Sequence, residues 1–242
     1  MKTLDTVQGQ FVAWEFDALT KALVDGKFWD EHILPTIDQA DPSGWAIDIG
    51  ANIGWFTVYM ARRFQHVIAV EAHPETARLL RTNLRANGAS GNVDIIPAAA
   101  YDHHTMLEVG NDDVHGVQTS TWKNLDDNPH SAGISFIEMP DKFHPLREWR
   151  VPTVLVDDYV PRGAHVSLIK ADCQGAALRA LNGLSRTIAR CRPVIIVEYE
   201  GVASQARGDG WGAYEEFLSD YRYTWTRLQG PWDEYACLPS PA

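Results

Sequence analysis

Cysteine is scarce: the 242 residues hold three, Cys173, Cys191 and Cys237. An odd, sparse set argues against a disulfide framework and for a reducing compartment. Positive charge is also short, with 21 Lys and Arg against 32 Asp and Glu, a formal net charge of −11. A phosphodiester backbone would be repelled and no basic run offsets the repulsion, so no nucleic-acid partner is expected. No run approaches the roughly 18 apolar residues of a membrane span. No charged-then-apolar leader opens the chain. A cytoplasmic protein with no membrane partner is the expectation. The pattern Gly-x-Gly-x-x-Gly is absent too, which removes the pyrophosphate cradle of a dinucleotide-dependent dehydrogenase.

What is present suits one large α/β domain. Hydrophobic residues make up 45% and charged residues 22%, ordinary globular usage. There is no internal repeat and no second-domain linker. The chain is organised around Trp45 to Thr57. Trp45–Ile49 is a short apolar run that suits a buried strand. Gly50 and Gly54 bracket a tight turn, and Phe56, Tyr59, Met60 and Phe64 follow at helical spacing. Strand, glycine turn and helix open a nucleotide-binding α/β unit. Asp48 lies in the strand end, where a phosphate would meet a negative charge. A cationic or neutral ligand fits better, and S-adenosylmethionine is the candidate. A second apolar run, Val67–Val70, ends in Glu71. That acid is 23 residues beyond Asp48, near the roughly 20-residue offset at which an acid takes ribose hydroxyls.

Asp48-Ile-Gly-Ala-Asn-Ile-Gly-Trp-Phe-Thr57 resembles motif I of class I methyltransferases in the form used by the FkbM-type family. The resemblance covers about residues 28–200. It implies a Rossmann-like sheet, mostly parallel with an antiparallel final strand, and helices on both faces. It also implies cofactor contacts from Glu71 (ribose), the backbone of Gly50 and Gly54 (methionine portion), Asp48 (methionine amino group) and Asn52 (carboxylate). Many relatives place an acid after the third strand to hold the adenine. Here Ala98-Ala-Ala-Tyr-Asp102 stands there, leaving backbone around Ala98 and Ala99, with Asp102 as a substitute.

Residues 1–44 are read as an N-terminal helical cap, with helix over 10–40 and a break at Pro35. Residues 45–242 form the cofactor-binding domain. Within it, 103–165 is an irregular insertion with short strands at Leu107–Val109 and Val151–Val156; the resemblance has it cover the mouth of the site. His103, His104, His115, His130 and His144 suit no metal motif and are read as surface residues. Val166–Asp172 and Arg192–Glu198 are further strands, 201–212 a glycine-rich loop, 213–221 a helix, and Tyr223–Trp225 with Glu234–Leu238 an antiparallel pair. The family's Lys-x-Asp-x-Glu-Gly-x-Glu becomes Lys170-Ala-Asp-Cys-Gln-Gly-Ala-Ala177. Lys170, Asp172 and Gly175 match, while Gln174 and Ala177 replace glutamates.

Asp172 and Glu198 end adjacent strands in this reading, with Lys170 behind them. Asp172 is the first choice for a base or acceptor-orienting group, and Glu198 the second. The two could also hold a divalent metal, which is not expected, because no histidine or further acid is fixed beside them by sequence. The resemblance implies O-methylation of a small-molecule hydroxyl, on a sugar or a natural product, with S-adenosylhomocysteine as product. The alternatives are transfer to nitrogen, cofactor chemistry without methyl transfer, and a non-catalytic cofactor-binding scaffold. Monomer and homo-oligomer both stay open.

Overall fold

The computed structural model describes residues 1–14, 18–111, 121–124, 132–133, 147–206 and 208–241. His115, His130, His144 and most of the turn expected over 116–122 lie outside them. The chain opens with an antiparallel hairpin, β1 (Lys2–Thr6) and β2 (Gly9–Ala13), followed by α1 (Ala18–Val24) and α2 (Leu34–Asp38). Next come β3 (Trp45–Ile49), α3 (Trp55–Ala61), β4 (His66–Val70), α4 (Pro74–Ala86) and β5 (Val93–Ile96). A second sheet draws on β6 (Ala99–Ala100), β7 (Met106–Asn111), β8 (Thr121–Asn124), β9 (Ala132–Gly133) and β10 (Arg147–Val154). The chain then returns through β11 (Val166–Ala171), α5 (Ala177–Asn182), α6 (Ser185–Cys191) and β12 (Val194–Glu198). It closes with α7 (Gly201–Ala206), α8 (Trp211–Asp220), β13 (Tyr223–Arg227) and β14 (Glu234–Pro239).

The main sheet has the order β13-β14-β12-β11-β3-β4-β5. β12, β11, β3, β4 and β5 pair in parallel; β14 runs antiparallel to β12, and β13 to β14. This is the expected layered α/β fold. Because strand side chains alternate, each strand feeds two cores. Ile47 and Ile49 pack with Leu178, Leu181, Ile188 and Phe217 on one face. Ala46 packs with Ile37, Val58, Met60 and Leu80 on the other. In α4, Pro74 occupies the first turn, where its missing N–H costs nothing, and His73 caps the helix by accepting from the Thr76 amide at 3.3 Å.

Three local expectations are corrected. Residues 10–13 are strand, not helix, and Pro35 begins α2 rather than breaking a helix. Phe11, Leu19, Leu23 and Ile33 share one core with α3 and α4, so 1–44 is built into the domain. The glycine-rich loop over 201–212 contains α7. The two short strands expected within 103–165 are present and pair with each other, β7 against β10 over six residue pairs, although β10 ends at Val154 rather than Val156. His103 and His104 are exposed, as expected. All three cysteines are free. No helix among the described residues is long and apolar enough to cross a membrane.

Candidate active site

The carboxyl ends of β3, β4, β11 and β12 converge on a cavity of about 480 Å³. Ligands gather at this edge of an open parallel sheet because loops diverge there and leave a crevice. Asp48, Gly50, Asn52, Glu71, Ala98, Ala99, Lys170, Asp172 and Glu198 all line it. Nine of the eleven expected site residues are thus brought together from segments spread over 151 positions. Gly54 and Asp102 are not among the lining residues.

The turn after β3 is held by backbone. The amides of Gly50 and Ala51 donate to the Val70 carbonyl at 2.9 and 3.0 Å. Gly50 has φ 76°, and a Cβ there would overlap the Asp172 carbonyl oxygen. The glycine is therefore required by a neighbouring strand as well as by the turn. Gly54, φ 93°, is the N-cap of α3, and a Cβ there would press on the Leu80 side chain. Its role is helix packing.

Glu71 is fixed from both sides. Its Oε2 accepts the Asn52 amide and its Oε1 the His73 amide, each at 2.8 Å. Burial pushes its pKa up to about 7, although those two amides pull it down. Asp48 is 1% exposed and accepts the Thr57 hydroxyl on Oδ2 at 2.6 Å. Burial raises its pKa, with Lys170 opposing. Its Oδ1 and the side-chain oxygen of Asn52 are buried with no hydrogen-bond partner among the described residues. Two orphaned acceptors beside a carboxylate suit a ligand that brings N–H or O–H donors.

At the other end, Lys170 donates to Asp172 Oδ2 at 2.7 Å and lies 5.0 Å from the Phe56 ring centroid. Burial disfavours the ammonium, but Asp172 and Asp48 outweigh it and raise the Lys170 pKa. For Asp172, burial acts upward, while Lys170 and a hydrogen bond with Glu198 hold the carboxyl below its ordinary value. Burial and the Asp172 charge drive Glu198 far above the carboxylate range. The two acids therefore share one proton at neutral pH, with the negative charge on Asp172 beside the lysine.

Ala98 spends its N–H on the Ile96 carbonyl at 3.0 Å. Asp102 is bound by Arg179 at 3.1 Å and His103 at 2.6 Å; its carboxylate belongs to an ion-pair network that Arg179 extends to Asp209. Gln174 lines the cavity with φ 52°, whereas Ala177 is buried at the start of α5. The cavity also takes in residues outside the sequence reading of the site. Trp29 and Asp30 come from the segment before α2, Glu200 from beyond β12, and Trp232 from the turn before β14. The Trp29 and Trp232 rings are 6.3 Å apart. Glu234 sits opposite Glu198 in the β12–β14 register and is 2% exposed. Burial pushes the Asp30 and Glu234 pKa values up to about 7 each. The sequence reading had Glu234 only as the start of the closing antiparallel strand pair, and nothing local marked it as part of a site.

Residues 48–224 match the family profile described as the methyltransferase FkbM domain. A curated protein named Methyltransferase 1, from Beauveria bassiana (strain ARSEF 2860), is 25% identical over 183 residues, spanning 70% of this chain and 68% of its own. The crystal structure of methyltransferase FkbM from Methylobacillus flagellatus KT aligns with a TM-score of 0.52 at 16% identity. That alignment covers 81% of this chain and 44% of the other, so this chain spans less than half of that protein. A Streptococcus mutans structure solved in complex with SAH aligns with a TM-score of 0.50 at 11% identity, covering 86% of this chain and 94% of its own. At these identities the structural likenesses establish the fold.

Proposed function

The chain belongs to the methyltransferase FkbM domain family, and on that premise we propose that it moves a methyl group from S-adenosylmethionine to a hydroxyl of a small molecule, a sugar or a natural-product alcohol. The observation that carries this reading is one cavity with two unlike ends. One end offers neutralising acceptors for a cationic nucleoside, and the other offers a carboxylate with a lysine partner. When bound, S-adenosylmethionine supplies an electrophilic methyl on a sulfonium.

Glu71 accepts the ribose hydroxyls with the lone pairs its two amide bonds leave open. Asp48 Oδ1 takes a donor of the methionine ammonium; the orphaned Asn52 atom is an oxygen, an acceptor, so it faces that ammonium instead of the carboxylate expected for it. The backbone at Gly50 lies against the methionine portion, and that around Ala98 and Ala99 against the adenine. Asp172 would orient the acceptor hydroxyl and take up its proton, the carbon–sulfur bond of the sulfonium breaking as the oxygen–carbon bond forms and S-adenosylhomocysteine leaving. Lys170 keeps Asp172 ionised and aimed, and Glu198 carries the proton the pair already shares. Holding the acceptor in line, about 3 Å from the reacting carbon, supplies much of the rate. The acid-lined mouth and the net charge of −11 favour a small acceptor over a polyanion. Formation of S-adenosylhomocysteine with polyol acceptors, and none with matched amines, checks the reading; the reverse pattern makes this an N-methyltransferase. Cofactor binding without product in either series removes methyl transfer altogether.

Cofactor affinity tests the ribose assignment. Glu71→Ala weakens S-adenosylmethionine binding at least tenfold, about 1.4 kcal/mol, measured by calorimetry. In the wild type, ribose hydroxyls need the ionised acceptor, and burial keeps Glu71 protonated up to about pH 7. Affinity therefore rises with pH up to that point and levels off above it, and below it falls by up to about tenfold per pH unit. Glu71→Gln flattens the profile. A wild-type affinity constant between pH 5.5 and 8 removes Glu71 from the ribose.

A further inference from the structure

Asp30, His32 and Glu234 bring one ligand atom each to within 4.8 Å of one another. They come from the segment before α2 and from the first residue of β14, so they meet only through the fold. We propose that these three side chains bind a first-row divalent cation, Mn²⁺ or Zn²⁺, at the acceptor end of the cavity.

Each donor is fixed before any ion arrives. Glu234 is buried and hydrogen-bonded to His32 Nε2. The indole N–H of Trp232 donates to Asp30 Oδ1 at 3.1 Å, which sets the direction of that carboxylate. Gly230 lies so close to the His32 ring that a Cβ would overlap it, so the imidazole packs directly against that backbone. The Trp232 contact is an outer one of the kind that orients metal ligands, whereas the Glu234–His32 bond joins two of the ligands and gives up its proton when an ion takes its place. Two carboxylate oxygens and one imidazole nitrogen favour Mn²⁺ or Zn²⁺ over Mg²⁺ or Ca²⁺, which prefer oxygen alone.

Charge and access agree. Asp30, Glu234 and Asp172 interact electrostatically, with Lys170 the cation among them. Asp172, Asp48 and Glu234 all act on that single ammonium, so an added cation meets acidic groups that outnumber it. Asp30 and Trp232 line both the main cavity and an adjoining one of about 550 Å³, which His32 also lines. An ion can enter through the second cavity and face the first. Three protein donors leave coordination positions free for water or an acceptor oxygen, whose proton a cation makes easier to remove. That last role rests on the hydroxyl reading above; the binding itself does not.

The test is a titration of the chelator-treated full-length chain with Mn²⁺, reading free ion by electron paramagnetic resonance, with Zn²⁺ as competitor. One site per chain is expected. His32→Phe keeps a ring against Gly230 but removes both nitrogen donors, and Glu234→Gln keeps the shape but not the charge. Each variant, with folding checked by circular dichroism, should bind Mn²⁺ at least about tenfold more weakly. His32 is partly exposed, so its variant preserves the test if the buried Glu234 variant unfolds. No stoichiometric binding by the wild type at millimolar ion, or undiminished binding by folded His32→Phe, overturns the site. Neither result depends on any acceptor being methylated.

Discussion

Asp172→Asn lowers methyl transfer by about a hundred- to ten-thousandfold, the range in which positioned proton acceptors act. The amide has the size of the carboxylate, so the cavity keeps its shape. It cannot take a proton, and it cannot neutralise Lys170, whose ammonium now stands 2.7 Å from the acid. A buried cation deprived of its partner costs several kcal/mol, so the variant also melts earlier. Cofactor binding separates the two effects. Asp172 is at the acceptor end, and Glu71 with its two amide donors is at the other, so calorimetry gives a nearly unchanged S-adenosylmethionine affinity at a temperature where the variant is folded. Single-turnover kinetics then report the chemical step alone. A rate within tenfold of wild type sinks the assignment of Asp172 to proton transfer. It leaves the acid a structural partner of the lysine.

Among the described glycines, Gly50 is the one whose replacement by alanine is expected to be most disruptive. Two penalties add. At φ 76° an alanine occupies a left-handed conformation, and its methyl group would overlap the Asp172 carbonyl oxygen. That carbonyl cannot withdraw freely, because the Asp172 amide is hydrogen-bonded to Ile49 at 3.1 Å. Backbone strain costs about 1–3 kcal/mol and a forced overlap about the same again, so a loss of about 4 kcal/mol is expected. For a chain of this size each kcal/mol moves the melting temperature by about 2–4 °C, giving a drop of about 8–16 °C by calorimetric scan. Both ends of the cavity are displaced together, so cofactor affinity and turnover fall in parallel. Gly88→Ala is the control: its φ is 64°, but a Cβ there has open space around it. It carries the strain without the overlap and should lose markedly less. Equal losses in the two variants would show that the contact with Asp172 is soft.

The residues proposed for the cofactor half of the cavity were legible as neighbours because their signals are local. Asp48, the glycine turn and Glu71 lie within 24 residues, and each follows a buried apolar run that identifies its strand. The acceptor half was legible only where a strand ended in an acid, at Asp172 and Glu198. Glu234 escaped because β14 runs against its neighbours and brings its first residue to the active edge. Reading strand ends alone passes over it. The N-terminal hairpin was misread for a different reason. Leu19 and Leu23 do lie in α1, but Phe11 and Val12 continue their helical spacing by coincidence, and tertiary contact makes those two strand. The buried Asn83 side chain accepts from the Val12 amide at 2.7 Å and donates to its carbonyl at 3.0 Å. It acts as the missing partner strand for β2. Asp102 illustrates the opposite failure: an acid at a suitable distance along the chain whose carboxylate is already claimed by Arg179.

Two pairs at the mouth, Trp232 with Asp30 and Glu234 with His32, join positions 202 apart in sequence. The order in which the chain is synthesised therefore reaches the two halves of the cavity at different times. The elements proposed to take up the nucleoside are in hand once roughly the first hundred residues have emerged. The opposite wall has to wait for the last strand, β14, to dock.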